Sequence, residues 1–352
     1  MSITEIAFEA QAVEAAPEQA VEGRGQWQLT WRRLRQDKVA MVSLAVILIM
    51  AAIALAAPAI ASLIGHPVDT PYNNGTTSAG LPVGPGTHGF TLGTDSIGRD
   101  LLVRILYGAR ISLFVGLVTT LIATVAGVSI GLVAGYFGGV VDTLLARLID
   151  SVLAFPVIVL ALALAVVIGP SLTVIVGVIS FFSWAGISRI VRGQTLSIKE
   201  KEYIEAARSL GAGPFRIMFV DVLPNLMAPV LVLATLYIPT AVVFEATLSY
   251  LGLGIQPPTP SWGNILADAQ GFYQQAWWYV VFPSAALLIT TLAFNLLGDG
   301  IRDAMDPRTE RIFAAGRKRR KRRGVDPGKQ SSDDLVQVPA KDLPYPPPII
   351  PG

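Results

Sequence analysis

At 352 residues, with 52% hydrophobic and only 15% charged residues and a positive mean hydropathy, the chain has too little polar surface to cover a soluble globule of its size. Its net charge is +2, with acid gathered near the start and base near the end, and it contains no cysteine, which excludes a disulfide framework and thiolate chemistry. The composition is that of an integral membrane protein.

Residues 1–30 form an acidic segment with Glu5, Glu9, Glu14, Glu18 and Glu22 and no apolar run over 1–26. That is the reverse of a basic-then-hydrophobic signal peptide, so a disordered cytoplasmic tail is expected, with nothing cleaved for export. Arg32, Arg33, Arg35 and Lys38 then precede an uncharged run over 39–65, a first span with a basic flank. A Gly/Pro/Thr-rich stretch over about 66–110 lacks a spanning run and predicts an ordered excursion on the outer side, ending in the helix-like LLVRILYGARISL. The second span is expected over 111–141, where Gly116, Gly127, Gly131 and Gly135 predict close helix approach. The uncharged run 151–188 is too long for one crossing of a core of about 30 Å at about 1.5 Å per residue. Two spans turning at Gly169-Pro170-Ser171 are predicted. After a charged island over about 189–224 come spans at 222–244 and 269–298, separated by an outer loop over about 249–276.

Six spans result, and Pro58, Pro156, Pro239 and Pro283 within them predict kinks. Lys and Arg concentrate on the side of the termini: Arg147 and six residues between Arg189 and Arg216, against Arg99, Arg104 and Arg110 in the outer excursion. This places both termini and the island in the cytoplasm. The predicted fold is an all-α polytopic bundle over 31–309, followed by a basic, then Pro-rich, cytoplasmic tail over 310–352. The run Arg317 to Arg323 suits anionic lipid headgroups rather than nucleic acid.

The island runs from Glu205 to Pro224 as EAARSLGAGPFRIMFVDVLP. Tyr203, Ile204, Ala207 and Leu210 fall at helical spacing on one side, with charges on the other. Gly211 reads as a helix stop, and Gly213 before Pro214 as the start of another helix. Two short helices meeting at a glycine turn are predicted, a knob suited to a groove in a partner protein.

The spacing of Glu205, Ala206, Ala207, Gly211, Leu223 and Pro224 resembles the signature loop of permease subunits of ABC importers, with Asp221 where that family has Ile. Three more stretches narrow the resemblance to dipeptide and oligopeptide permeases. Gly93-Thr94-Asp95, Gly98-Arg99-Asp100 and Arg104 match one motif, with Val103 in place of Ser. LSYLGLG running into QPPTPSWG, which holds Trp262 and Gly263, matches an outer loop; NLLGDGIRDAMDPR, with Asp299, Arg302 and Asp303, matches a C-terminal signature. Together these cover roughly 30–309, and the chain is identified as a C-type permease subunit of the peptide/nickel transport family.

The resemblance implies the six-helix type I ABC importer permease fold in a bacterial cytoplasmic membrane and import of di- or oligopeptides by alternating access. It implies as partners a second homologous permease forming a heterodimer, two ATP-binding subunits and an extracytoplasmic substrate-binding protein. Glu205 to Gly211 would be the coupling helix docked in a cleft of an ATPase; the outer and C-terminal motifs have no assigned role. No cofactor is expected in this chain, since it has no G-x-x-x-x-G-K-[ST] loop; ATP and Mg belong to the ATPase subunits. The two histidines, His66 and His88, both fall in the outer excursion, so neither a metal nor a nucleophilic centre is expected.

Each motif also has a plain reading. Residues 93–104 could be a capped surface helix, with Asp95 accepting from its N-terminus and Arg99 pairing locally. QPPTPSWG could be an extended connector with Trp262 at the membrane interface, and GDGIRD a helix end stopped by glycine. Nickel or another small solute is the alternative cargo. An ion-coupled carrier is the alternative class, but it would keep carboxylates near the midplane, whereas Asp142 and Asp150 fall at a cytoplasmic edge and Glu245 near an outer one.

Overall fold

The first membrane-length helix is set by one side chain. Asp37 accepts from the backbone N–H groups of Val39 and Ala40 at 2.9 and 3.3 Å, capping α2 (Lys38–Ile64) just after the short α1 (Gln26–Leu34). The computed structural model describes residues 26–305. The acidic segment before them, Asp306-Pro307-Arg308 and the basic and Pro-rich tail lie outside the described residues.

Beyond a loop over 65–100, α3 spans Leu101–Phe137, beginning at Leu101 rather than Ile111 because Asp100 caps it, accepting from the N–H of Val103 at 3.2 Å. It ends at Gly138, whose φ is +67°. Then come α4 (Gly139–Ala154), α5 (Val157–Ile168), α6 (Leu172–Lys199), α7 (Glu202–Ser209), α8 (Pro214–Tyr250), α9 (Trp262–Ala269) and α10 (Trp277–Met305).

Among the described residues, five helices, α2, α3, α6, α8 and α10, are long and apolar enough to cross a membrane. The expected third span differs: α4 and α5 bend by 79° at Phe155-Pro156, so Pro156 breaks the helix instead of kinking it. The physical reason is local. Phe155 is pushed to the extended region (ψ 135°) by the following proline ring, which itself has no N–H to continue the ladder. Alone, α5 covers only about 18 Å at about 1.5 Å per residue, short of a hydrocarbon core of about 30 Å. A sixth crossing requires the bent pair to act as one span. Ion pairs fasten α4 to α6: Arg192 donates to both carboxylate oxygens of Asp142, and Arg189 to Asp150 at 2.6 Å.

The tightest packing joins α3 to α6, along the predicted glycine stripe. A Cβ on Gly127 would stand 2.7 Å from the Ile187 Cβ, on Gly131 2.6 Å from the Ser188 carbonyl, and on Gly135 2.6 Å from the Thr195 Cβ. Only the missing side chains let the two backbones meet, and the Ser188 hydroxyl uses that proximity to donate to the Gly127 carbonyl at 2.9 Å. Helix α8 lies on α3, α10 on α8, and α2 closes back on α10 and α3. The Gly298-Asp299-Gly300 segment does not stop a helix. Instead α10 runs through it to Met305, and Gly300 lets α10 press against Ala40 of α2.

Because α2 and α8 run one way and α3, α6 and α10 the other, the bundle has two ends. One carries the 65–100 loop, α9 and the start of α3; the other carries α7 and the starts of α2 and α8.

Candidate functional site

The knob at the α7 end is built by its glycine. Glu202 and Glu205 sit in the first turn of α7 and Arg208 in its last, charges placed as the helix dipole favours. After Ser209 the N–H of Ala212 donates to the Ala207 carbonyl at 3.0 Å and that of Gly211 to the Arg208 carbonyl at 2.9 Å. This is a Schellman cap, which needs a left-handed residue at Gly211, and its φ is +82°. Pro214 then opens the next helix without wasting an N–H.

The expected second short helix is the beginning of α8 itself. A π turn over Ile217–Val222 inserts one extra residue into the helix. It leaves Ile217, Met218, Val222 and Leu226 buried while Phe215, Phe219 and Val220 face outward. Asp221, the departure from the family pattern, lies in this turn, half-buried.

The expected apolar side of α7 is also revised. Ile204 is fully buried, but Tyr203 is about half-exposed and Leu210 is 89% exposed, since α7 ends at Ser209 and Leu210 belongs to the turn. Arg208 stacks over the Tyr136 ring at 5.7 Å and, with Ile204, holds the knob to the bundle. Glu205, Ala206 and Gly211 face solvent; Leu223 is half-buried and Pro224 exposed. What results is a projection with Leu210 and Phe215 exposed at its surface and charges around them.

The C-terminal signature reaches the same end. Asp299, Arg302 and Asp303 are exposed, while Gly298 and Gly300 pack inward against α8 and α2.

The loop-end motif residues do something else. Asp95 is fully buried in a loop, not on a surface helix. One of its oxygens accepts from the N–H groups of Ile97 (3.0 Å) and Arg99 (2.9 Å), and the other takes Arg99 Nε at 2.5 Å, with Arg104 Nε 3.2 Å away. Asp100 meets Val103 N–H with one oxygen and His66 Nδ1 at 2.6 Å with the other. Trp262 is no interface anchor: it is fully buried and donates to the Ile105 carbonyl at 3.1 Å. Gly263 packs against the Ala246 backbone. Asp268 completes the hub, where burial pushes its carboxyl up against the opposing pull of Arg104 and Arg99.

Thus the motif residues separate into two groups at opposite ends, one internal and one presented outward. Sequence reasoning missed the His66–Asp100 pair and the Asp142–Arg192 clamp, which join residues far apart in the chain. It also missed how Glu245 is held: fully buried, it accepts from Ser112 and Ser249 at 2.8 and 2.7 Å.

A helical bundle of membrane-length spans, with an exposed knob at one end, defines a polytopic membrane protein. Residues 127–311 match the family model described as binding-protein-dependent transport system inner membrane component, and residues 25–79 that of the N-terminal TM domain of oligopeptide transport permease C. The chain belongs to the family of binding-protein-dependent inner-membrane transport components. It is 41% identical over 284 residues to the dipeptide transport system permease protein DppC of Haemophilus influenzae, covering 79% of this chain and 93% of that one. It is 40% identical over 288 residues to the oligopeptide transport system permease protein OppC of Escherichia coli, covering 82% and 93%. Among solved structures, the inward-facing MetNI methionine ABC transporter overlaps 58% of this chain and 98% of that chain at a TM-score of 0.49 and 20% identity.

Proposed function

We propose that the chain is the membrane-spanning permease subunit of an ATP-driven importer of dipeptides or oligopeptides. It would work as a heterodimer with a second, homologous permease, two ATP-binding subunits and an extracytoplasmic substrate-binding protein. The observation that carries the reading is the Schellman-capped knob, with Leu210 and Phe215 exposed on a projection fixed to the bundle by Ile204 and Arg208. In this reading the knob sits in a groove of an ATPase subunit. ATP binding and its hydrolysis there move α7 and the start of α8, and the spans rock between inward- and outward-open states that bind the partners with different affinity. The dipeptide and oligopeptide names of the relatives support the cargo. The Lys/Arg asymmetry supports a cytoplasmic knob and cytoplasmic termini.

The test is reconstitution of the purified complex in liposomes with its binding protein, followed by ATP-dependent uptake of a labelled dipeptide. Uptake only in the presence of ATP and binding protein is expected; uptake of Ni²⁺ in place of dipeptide would overturn the cargo. For orientation, a cysteine at Ser171, in a chain with none of its own, should react with impermeant reagent from outside the cell. Reaction only after the cytoplasmic side is opened would invert the arrangement.

A further inference from the structure

One cleft between the spans sets polar side chains among apolar ones, Ile158, Pro239, Val243 and Phe244. This cleft of about 420 Å³ opens between α5, α8 and α10, and its walls carry Thr240, Thr247, Thr291 and Asn295, a volume within the roughly 300–1,000 Å³ of small-molecule sites. Thr240 and Asn295 are exposed, and each stands about ten residues, roughly 15 Å, from the nearer end of its helix. Both side chains fall within the uncharged parts of membrane-length helices, Asn295 one turn before the exposed Asp299.

The three threonines bond as helix hydroxyls commonly do, and Asn295 is the residue that differs. Thr240, Thr247 and Thr291 donate to carbonyls of their own helices, Leu236, Val243 and Leu287, at 3.1, 2.8 and 2.9 Å, leaving oxygen lone pairs toward the cleft. Asn295 has no hydrogen-bond partner among the described residues, so two donors and two acceptors stand open. An exposed, unpaired carboxamide facing lipid is strongly unfavourable, and polar groups in spans face water-filled paths or partners. No charged side chain lines the cleft. Pro239, within α8 beside Thr240, removes one backbone bond at the same level.

We infer that this cleft is part of the path taken by the transported molecule, and that Asn295 pairs with the main-chain amide of a passing peptide. The inference deepens the peptide-importer reading and rests on it. One carboxamide offers a donor and an acceptor side by side, the complement of one peptide N–H and C=O, and the threonine oxygens accept from further N–H groups. A neutral set of this kind reads the backbone and tolerates many side chains.

Two measurements on the reconstituted complex test it. A cysteine at position 295 should react with a water-soluble thiol reagent at least tenfold faster than one placed at Leu121, an apolar, exposed residue of α3. Asn295→Leu should lower dipeptide uptake at least tenfold at equal membrane abundance, while Asn295→Gln keeps a third or more. Labelling at 295 no faster than at 121, or uptake by Asn295→Leu within twofold of wild type, would overturn the inference, and the labelling arm decides even if the leucine variant fails to insert. Wild-type vesicles that take up no dipeptide would overturn the peptide reading and the ligand named here. Labelling in those same vesicles then decides separately whether the cleft is an aqueous path.

Discussion

Asp95 at one end of the bundle and Glu205 at the other both stand in short motifs of acid, small residues and glycine, yet they meet opposite environments. Asp95 is fully buried between two arginines and two backbone N–H groups; Glu205 is exposed on a helix whose turn pushes Leu210 into solvent. A motif of this chain can therefore be held inside the fold or left facing solvent, where the proposed docking would use it. Burial and pairing tell the two uses apart. The comparison makes a directional claim: substitutions at the loop end should reduce the amount of folded protein, while those at the knob should spare it and remove an interaction.

The largest effect is expected at Asp95. Asp95→Ala leaves Arg99 and Arg104 buried without their carboxylate, and breaking a buried pair by removing one partner costs about 3–5 kcal/mol. Membrane abundance and thermal stability in detergent should both collapse. An Asp95→Ala protein with wild-type abundance and melting temperature would erase the difference between the two ends.

The next effect lies between the ends, on the stripe that holds α3 to α6. Gly131→Leu places a side chain where even a Cβ would stand 2.6 Å from the Ser188 carbonyl, and overpacking of this kind costs about 1–3 kcal/mol. Gly193→Ala on the facing helix is the control, since a Cβ there meets nothing within 4 Å. The leucine variant should lose stability and the alanine variant should not; equal behaviour would mean that the close approach is unimportant.

Much of this framework was legible in the residues, and the failures have physical reasons. Uncharged runs located the spans because a membrane admits few charges, and spaced glycines marked a close contact because little else permits one. The break at Phe155-Pro156 was hidden because an uncharged run reads alike whether it crosses straight or folds back. Gly298 and Gly300 read as a stop, since a glycine that ends a helix and one that admits Ala40 of another helix are the same letter; only the neighbour differs. Asp95 read as a surface cap because the arginine that buries it with Arg99, Arg104, lies nine positions further on, and its approach depends on how the loop closes over α3. At the knob, spacing placed Gly211 correctly but put Leu210 on the helix face, one residue past where α7 ends.

A smaller effect on folding is expected at Gly211. Its φ of +82° costs a residue other than glycine about 1–2 kcal/mol, yet a Cβ there meets nothing within 4 Å, so Gly211→Arg has room and should still insert. ATPase co-purification and peptide uptake should fail together. Gly211→Asn, which tolerates the left-handed region better, should retain more of both. Normal uptake by a normally abundant Gly211→Arg protein would refute the coupling assignment.

The smallest effect on the fold, and the sharpest on the comparison, belongs to Leu210→Glu. Leu210 is 89% exposed and lies outside the helix that Ile204 anchors, so no packing inside the chain is lost. Surface changes of this kind shift stability by no more than about 0.5 kcal/mol. If the knob docks in a groove, however, a carboxylate would be carried into an apolar contact, where an unpaired charge is strongly penalised. Melting temperature should stay at the wild-type value while ATPase subunits no longer co-purify. Because the fold is untouched, the loss would come from the partner's side of the contact. Retained co-purification would show instead that Leu210 lies outside the docked area and would move the proposed contact toward Phe215 and Phe219 on the start of α8.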